Sequence, residues 1–155
     1  MKNKATPLLI SLKPDYADLV FSGLKTAELR RRISEKMQNR DVYIYVSSPI
    51  KQLRGGFRVG QVWSGSPTQI WSTVRNLAGV SKRTFDSYYN GQNIAFALEI
   101  LDVWEYAYPR SLEQLRSQFP GFVAPQSYRY ARIEEVRSFR ALKRLTISPR
   151  QSIAV

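Results

Sequence analysis

The 155-residue chain contains neither cysteine nor histidine. Without cysteine it can form no disulfide and no thiolate metal site. Without histidine it lacks the commonest metal ligand and the commonest general base near neutral pH. A zinc site and a serine–histidine triad are therefore excluded, and we expect neither a metal nor a cofactor.

Long apolar runs are also missing. The apolar segment within MKNKATPLLISLKPDY stops after a few residues, which is too short for a signal-peptide core or a membrane span. We therefore expect a cytoplasmic protein without membrane contact. Because 43% of the 155 residues are hydrophobic, residues 1–155 can form a single domain with a core but are too few for two independent domains.

Basic residues, by contrast, are abundant. The chain has 24 Lys and Arg against 12 Asp and Glu, for a net charge of +12. Residues 25–58 hold nine basic and three acidic residues, and residues 129–150 hold seven and two. A field of this sign attracts polyanions, so RNA or a nucleotide is the favoured partner unless these cations merely solvate the surface. The sequence does not predict the oligomeric state.

The first third of the chain alternates strands with one short helix. PLLISL at residues 7–12 is typical of a buried strand, Pro14 suits the first turn of a helix, and Gly23 would end that helix. Alternation then predicts a strand with Ala27 and Leu29 on a buried face and Glu28 on the other. In DVYIYVSSP, residues 41–49, aliphatic side chains alternate with an aromatic, polar face.

The rest of the chain predicts an α+β fold. LRGGFRVGQVWSG indicates a strand that is bent or bulged at Gly55 and Gly56. A helical hairpin follows up to Gly91, then a β-rich segment at residues 93–108 and a helix that begins at a capping box on Ser111. We expect the three tryptophans to lie in the core: Trp63, Trp71 and Trp104.

The segment GLKTAELR at residues 23–30 matches the G-x-K-x-x-E-x-R signature of ASCH domains, which belong to the PUA-like group. The neighbouring segments LLISLKPDYADLVFSG, VYIYVSSP, LRGGFRVGQV and FALEILDV resemble the family's elements in order. The resemblance covers residues 8–103 well and the C-terminal extension loosely. It implies a small mixed PUA-like β-barrel with short helices packed around it, a cleft lined by the signature residues, and RNA binding or hydrolysis.

The signature segment also predicts the chemistry of that cleft. Lys25 and Arg30 can both hold Glu28 ionised and still face an anionic ligand. The alternative is a salt bridge from Glu28 that only orders the loop after Gly23. Because the carboxylate raises the pKa of Lys25 and desolvation lowers it, we expect the ion pair to win and Lys25 to stay charged.

Aromatic and hydroxyl side chains complete the predicted site, because tyrosine can stack on bases and hydroxyls can bind phosphate. Core or rim packing accounts for each tyrosine taken alone better than base stacking does, and ordinary strand termination explains SSP at residues 47–49 equally well. The candidate ligand-binding residues are Lys13, Lys25, Thr26, Glu28, Arg30, Tyr45, Ser47, Ser48, Arg54, Tyr128 and Arg129, with Lys25 and Glu28 as candidate catalytic residues.

Three functions remain open at this point. The favoured one is RNA binding, whose affinity should fall steeply with salt. The alternative is a metal-independent hydrolase of a modified nucleoside or of RNA, with Lys25 as base or proton donor and Glu28 positioning water. Amidohydrolase members of the family carry threonine three residues after the lysine, where this chain has Glu28. A DNA-binding regulator rests on charge alone, since no helix-turn-helix pattern stands out.

Overall fold

The computed structural model describes residues 6–145, which form one six-stranded sheet and five α-helices. The strands are β1 (Leu8–Leu12), β2 (Ala27–Arg30), β3 (Asp41–Val46), β4 (Gln52–Gly65), β5 (Ala95–Ser111) and β6 (Tyr128–Tyr130). The helices are α1 (Pro14–Phe21), α2 (Pro67–Val74), α3 (Lys82–Tyr88), α4 (Leu112–Gln118) and α5 (Ile133–Ala141), with a short 3-10 helix at Glu35–Met37.

The sheet is mixed and has the order β2-β5-β4-β3-β1-β6. Strands β1 and β3 are parallel, and the other neighbouring pairs are antiparallel. The sheet curls into an open half-barrel with the short helices around it, so the predicted α+β fold is confirmed.

The path from β1 to β2 follows the sequence pattern closely. Pro14 stands in the first turn of α1, where the N–H that it lacks would have no helical partner. The helix ends at Phe21, and Gly23 has φ of 81°, a conformation that glycine adopts at little cost. The short α1 therefore returns the chain directly into the signature segment and β2.

Glycine also governs the pairing of the two longest strands, β4 and β5. The register shifts on both sides of Gly55 and Gly56, as the predicted bulge requires. A Cβ at Gly55 would collide with the backbone carbonyl of Trp104, and one at Gly56 with that of Val42. The close approach of three strands thus depends on these two residues.

The predicted helical hairpin is present as α2 and α3, which pack through Trp71 and Phe85 with ring centroids 5.0 Å apart. Serine side chains cap α2, α3 and α4, the last at Ser111 with the predicted capping box.

The sequence did not predict α5. This helix is mostly polar, and only Glu135, Val136 and Phe139 are buried in it.

Two expectations about exposure are wrong. All four residues of β2 are buried, including Glu28 and Arg30, because those charged side chains pair with each other instead of reaching bulk solvent. Strand β3 is also buried on both faces: Tyr43 and Tyr45 belong to a second core cluster that packs under α4 and α5. Alternation indicates which side chains share a face, but not what covers that face.

The tryptophans divide between two environments. Trp104 is buried as expected, whereas Trp63 and Trp71 are half-buried and pack against the cluster formed by α2, α3 and the edge of the sheet.

None of the helices within residues 6–145 is long and apolar enough to cross a membrane.

Candidate functional site: a cationic cleft beside β2

Three charged side chains from the signature segment are buried together: Lys25, Glu28 and Arg30, which we call the buried cluster. Their exposed fractions are 2%, 5% and 7%. Lys25 Nζ lies 3.7 Å from Glu28 Oε1, and Arg30 Nη2 lies 3.3 Å from Glu28 Oε2. One carboxylate is therefore shared by two cations.

Backbone and hydroxyl groups fix the cluster in place. Lys25 Nζ donates to the Ala78 carbonyl oxygen at 2.7 Å, in the segment that joins α2 to α3. Arg30 Nη1 donates to the Ser127 hydroxyl at 3.0 Å, just before β6. The Leu29 N–H donates to Glu28 Oε1 at 3.1 Å. The cluster thus connects the edge strand β2 to two segments that are distant in sequence.

Burial dominates the ionisation of Lys25. It lowers the pKa of this amine, Glu28 opposes that change, and the nearby Arg30 guanidinium adds to it. The net direction is opposite to the expectation that the ion pair would win. The two cations compete for one carboxylate, so neither receives the full compensation of an isolated pair.

The buried cluster forms part of the wall of a cleft with a volume of about 830 Å³. The parallel strands β1 and β3 end at this cleft, and α3 and the segment before β6 close its other sides. Among the described residues, its lining holds one carboxylate, that of Glu28, against five cations: Lys13, Lys25, Arg30, Arg31 and Lys51.

Seven of the predicted site residues line the cleft: Lys13, Lys25, Glu28, Arg30, Tyr45, Ser47 and Ser48. Tyr128 lines a smaller cavity that adjoins it. Ser47 and Ser48 reach the cleft because they follow the carboxyl end of β3, next to Lys13 at the end of β1. Thr26 is not in the lining; its N–H donates to the Leu77 carbonyl oxygen at 2.7 Å.

Two predicted arginines lie outside the cleft lining and hold carboxylates. Arg54 Nε lies 3.1 Å from Glu105 Oε1, its Nη1 pairs with Asp18, and the guanidinium stacks over Phe21. Arg129 turns away from the cleft towards Glu135 on α5. The two basic stretches therefore do not merge at the cleft, and Arg150 lies outside the described residues.

The sequence reading missed several polar residues of the lining: Ser11, Tyr16, Arg31, Lys51, Thr84, Ser87, Tyr88, Gln126 and Ser127. Most come from α3 and from the segment before β6, whose proximity to β2 depends on tertiary packing. Ser11 carried a local signal, since it is the one polar residue inside the apolar run of β1. Its hydroxyl donates to the Pro125 carbonyl oxygen.

The donor set does not suit a divalent metal ion. No group of three or more metal-ligating side chains occurs within residues 6–145. Glu28, the carboxylate of the cleft, already contacts two cations. Hard cations such as Mg²⁺ bind through several oxygen ligands, and the excess of positive charge here favours an anion instead.

Comparison with known proteins identifies the family. Residues 10–116 match the ASCH domain, so this chain belongs to the ASCH domain family. An ASCH domain-containing ribonuclease of Zymomonas mobilis is 31% identical over 134 residues, which cover 86% of this chain and 90% of that protein.

Solved structures agree with this assignment. The crystal structure of ASCH from Zymomonas mobilis is similar with a TM-score of 0.82 and 29% identity, covering 89% of this chain and 96% of that one. The N-terminal domain of Staphylothermus marinus McrB has a TM-score of 0.58 at 14% identity and covers 87% of this chain and 93% of its own, which is a likeness of fold alone.

Proposed function

We propose that this protein is a ribonuclease that binds RNA in the cationic cleft and cleaves it without a metal ion. The lining of the cleft holds five cations and one carboxylate, and this excess of positive charge is the observation that carries the proposal. Phosphodiesters are the anions that such a surface attracts in a cell. The similarity to a ribonuclease over most of both chains supports the cleavage step.

The shape of the cleft favours an unpaired strand. Its volume of about 830 Å³ is that of a small-ligand site, which suits one or two nucleotide units rather than a duplex. Tyr16 lines it among the cations, and aromatic rings stack on the exposed bases of single strands.

The proposed reaction needs no partner other than the RNA itself. The 2′-oxygen of one nucleotide forms a bond to its own 3′-phosphorus while the bond from that phosphorus to the 5′-oxygen of the next nucleotide breaks. A base takes the proton of the 2′-hydroxyl, and an acid gives a proton to the leaving 5′-oxygen. The products are a 2′,3′-cyclic phosphate and a 5′-hydroxyl end.

The cleft residues are suited to these roles. Burial lowers the pKa of Lys25, so its neutral form, which can accept a proton, is more accessible than in an exposed lysine. Burial raises the pKa of the Tyr45 hydroxyl, which keeps its proton available for the leaving group. Arg30 would stabilise charge on the phosphate, and Glu28 would orient Lys25 and Arg30.

RNA binding without cleavage is the second candidate, and one contact favours it. Lys25 Nζ donates to the Ala78 carbonyl oxygen at 2.7 Å, in addition to its position beside Glu28. A lysine held by these acceptors in its protonated form would stabilise a bound phosphate but could not act as a base.

Incubation with a labelled single-stranded RNA in the presence of a metal chelator tests both candidates. We expect fragments ending in a 2′,3′-cyclic phosphate, and no cleavage at a nucleotide whose 2′-hydroxyl is replaced by hydrogen. Lys25→Ala and Tyr45→Phe should each abolish most of the turnover, whereas Lys82→Ala, on the exposed surface of α3, should not.

The outcomes separate the candidates. Salt-dependent binding of RNA without any fragments would support the binding module and overturn the ribonuclease. Cleavage that stops when the chelator is added would contradict the metal-independent mechanism. Absence of both binding and cleavage at micromolar protein would reject the cleft as an RNA site.

A further inference from the structure

A second cavity adjoins the cleft and shares Arg30 with it. It has a volume of about 440 Å³. Arg30, Arg31, Tyr88 and Ser127 line both cavities, so the two share a wall along β2 and α3. The second cavity adds three side chains of its own: Arg32, Gln92 and Tyr128.

The charge of this cavity has one sign. Among the described residues its lining includes three consecutive arginines, Arg30 to Arg32, and no carboxylate. Arg30 is 7% exposed, and its Nε has no hydrogen-bond partner within the described chain. A buried donor without a partner is costly, and the Arg30 side chain is part of the wall that a phosphate in this cavity would contact.

The aromatic residues of the cavity differ in what they already contact. The Arg31 guanidinium lies 4.4 Å from the ring centroid of Tyr88, and Arg31 Nε donates to the Tyr88 carbonyl oxygen at 2.7 Å. Tyr88 is thus covered by Arg31, and its hydroxyl donates to the Leu29 carbonyl oxygen. Tyr128 is half-buried: part of its ring packs on the core and part lines the cavity.

We infer that the second cavity is a base-binding subsite for the nucleotide next to the one held in the cleft. Arg30 and Arg32 contact the phosphate between the two nucleotides, and the base lies against Tyr128. Gln92 supplies both a donor and an acceptor for the base edge. This inference rests on the proposed RNA binding in the cleft and assigns the adjoining nucleotide to its own pocket.

An abasic scan of a bound oligonucleotide tests the subsite. The probe is a 2′-O-methyl RNA of roughly six nucleotides, a length within the range of single-strand sites, which lacks the 2′-hydroxyl that cleavage requires. The base is removed at one position at a time, and affinity is measured by fluorescence anisotropy. For the unaltered protein we expect, next to the position whose base lies in the cleft, a second interior position where loss of the base weakens binding by about tenfold, the effect of a lost stacking contact.

Variants of the subsite assign that position. In Tyr128→Leu, the same abasic probe should bind within about twofold of the intact probe, because the stacking contact is already lost. In Gln92→Leu the abasic penalty should be reduced, because only the contact to the base edge is already lost. The matched controls Tyr108→Leu and Gln118→Leu, which alter side chains outside both cavities, should keep the tenfold penalty. Two subsite variants are used because Tyr128 lies in β6 and its loss could affect folding, which a thermal unfolding curve will show.

The failures are distinguishable. If the unaltered protein binds the intact probe but no abasic position matters, or if the penalty persists in both subsite variants, the subsite is wrong while RNA binding in the cleft stands. If the intact probe itself does not bind, both the proposed function and this inference are wrong.

Discussion

Two buried carboxylates of this protein face arginine, yet their surroundings differ. Glu135 on α5 receives two hydrogen bonds from Arg129, at 2.8 and 2.7 Å, and a third from the Arg132 N–H at 2.7 Å. Glu28 has one arginine contact at 3.3 Å and shares its charge with Lys25 at 3.7 Å. The first pair is complete by itself, whereas the second has more positive charge than its carboxylate can balance.

The difference distinguishes a structural ion pair from the cluster that we propose as part of a binding site. Arg129 is bidentate to its carboxylate, and its guanidinium stacks over Phe122, so nothing in its geometry requires a further partner. Within residues 6–145, Arg30 Nε is buried without a hydrogen-bond partner, and the Arg30 side chain lines two cavities. An anionic ligand in the open cavity can balance this excess of positive charge. Without the ligand, the unbalanced charge lowers the stability of the fold.

The largest expected effect concerns stability. Glu135→Ala removes a side chain that is 2% exposed and leaves Arg129 and the Arg132 N–H without their partner. We expect the free energy of unfolding to fall by about 3 kcal/mol, the low end for a broken buried pair, because Arg129 is partly exposed. Urea denaturation measures this loss, and Glu134→Ala, at an exposed neighbouring position, is the control. RNA affinity should not change; a parallel loss of affinity would contradict the purely structural role.

The same pair predicts a dependence of stability on pH. Burial alone would raise the pKa of Glu135, but the hydrogen bonds from Arg129 and the Arg132 N–H outweigh it, so that the pKa is lowered below 4.5. A lowered carboxyl pKa gives stability that is fully present above the unfolded pKa and is lost as pH falls through the folded pKa. We expect Glu135→Gln to lose less stability than the unaltered protein across that acid range, as measured by urea denaturation.

The third prediction concerns affinity. Lys25→Met should weaken RNA binding by about tenfold, a typical cost of losing one charge-assisted hydrogen bond, while Glu28 keeps its contact with Arg30. Lys82→Met is the matched control, because Lys82 is exposed and already pairs with Asp86 at 2.6 Å. Anisotropy titrations of both variants at one salt concentration make the comparison. Equal losses would mean that only total charge matters and that the buried cluster has no special role.

The sequence predicted much of this picture, and its errors have physical causes. The pattern from Pro14 to Gly23 and the bulge at Gly55 depend on local backbone preferences, so they could be read directly. The signature segment likewise predicted that Lys25 and Glu28 meet. Ser127 could not be predicted, because it meets Arg30 only in the folded sheet, where β6 pairs with β1 and β2 lies at the opposite edge.

Arg129 illustrates the opposite error. In PQSYRYAR it alternates with tyrosines as nucleic-acid-binding arginines do, and its carboxylate partner lies six residues later on a helix that has little apolar signal. Charge and aromatic spacing are therefore compatible with both roles. Only the number and geometry of the partners around each arginine separate a structural cation from one that is available to a ligand.

The smallest expected effect tests that distinction on the cations of β4 and the turn before it. Lys51 lines the cleft, whereas Arg54, three residues later, holds Asp18 and Glu105 and lies outside it. Each phosphate neutralised on a single strand contributes about 0.7 to the slope of log affinity against log salt concentration. We expect Lys51→Gln to reduce that slope by about this amount. We expect Arg54→Gln to leave the slope unchanged and the affinity within about twofold, because the two carboxylates that hold Arg54 lie away from the proposed RNA site. Titrations at several salt concentrations give both slopes. A reduced slope for Arg54→Gln would place the RNA across the outside of β4 and would remove the contrast between satisfied and available cations.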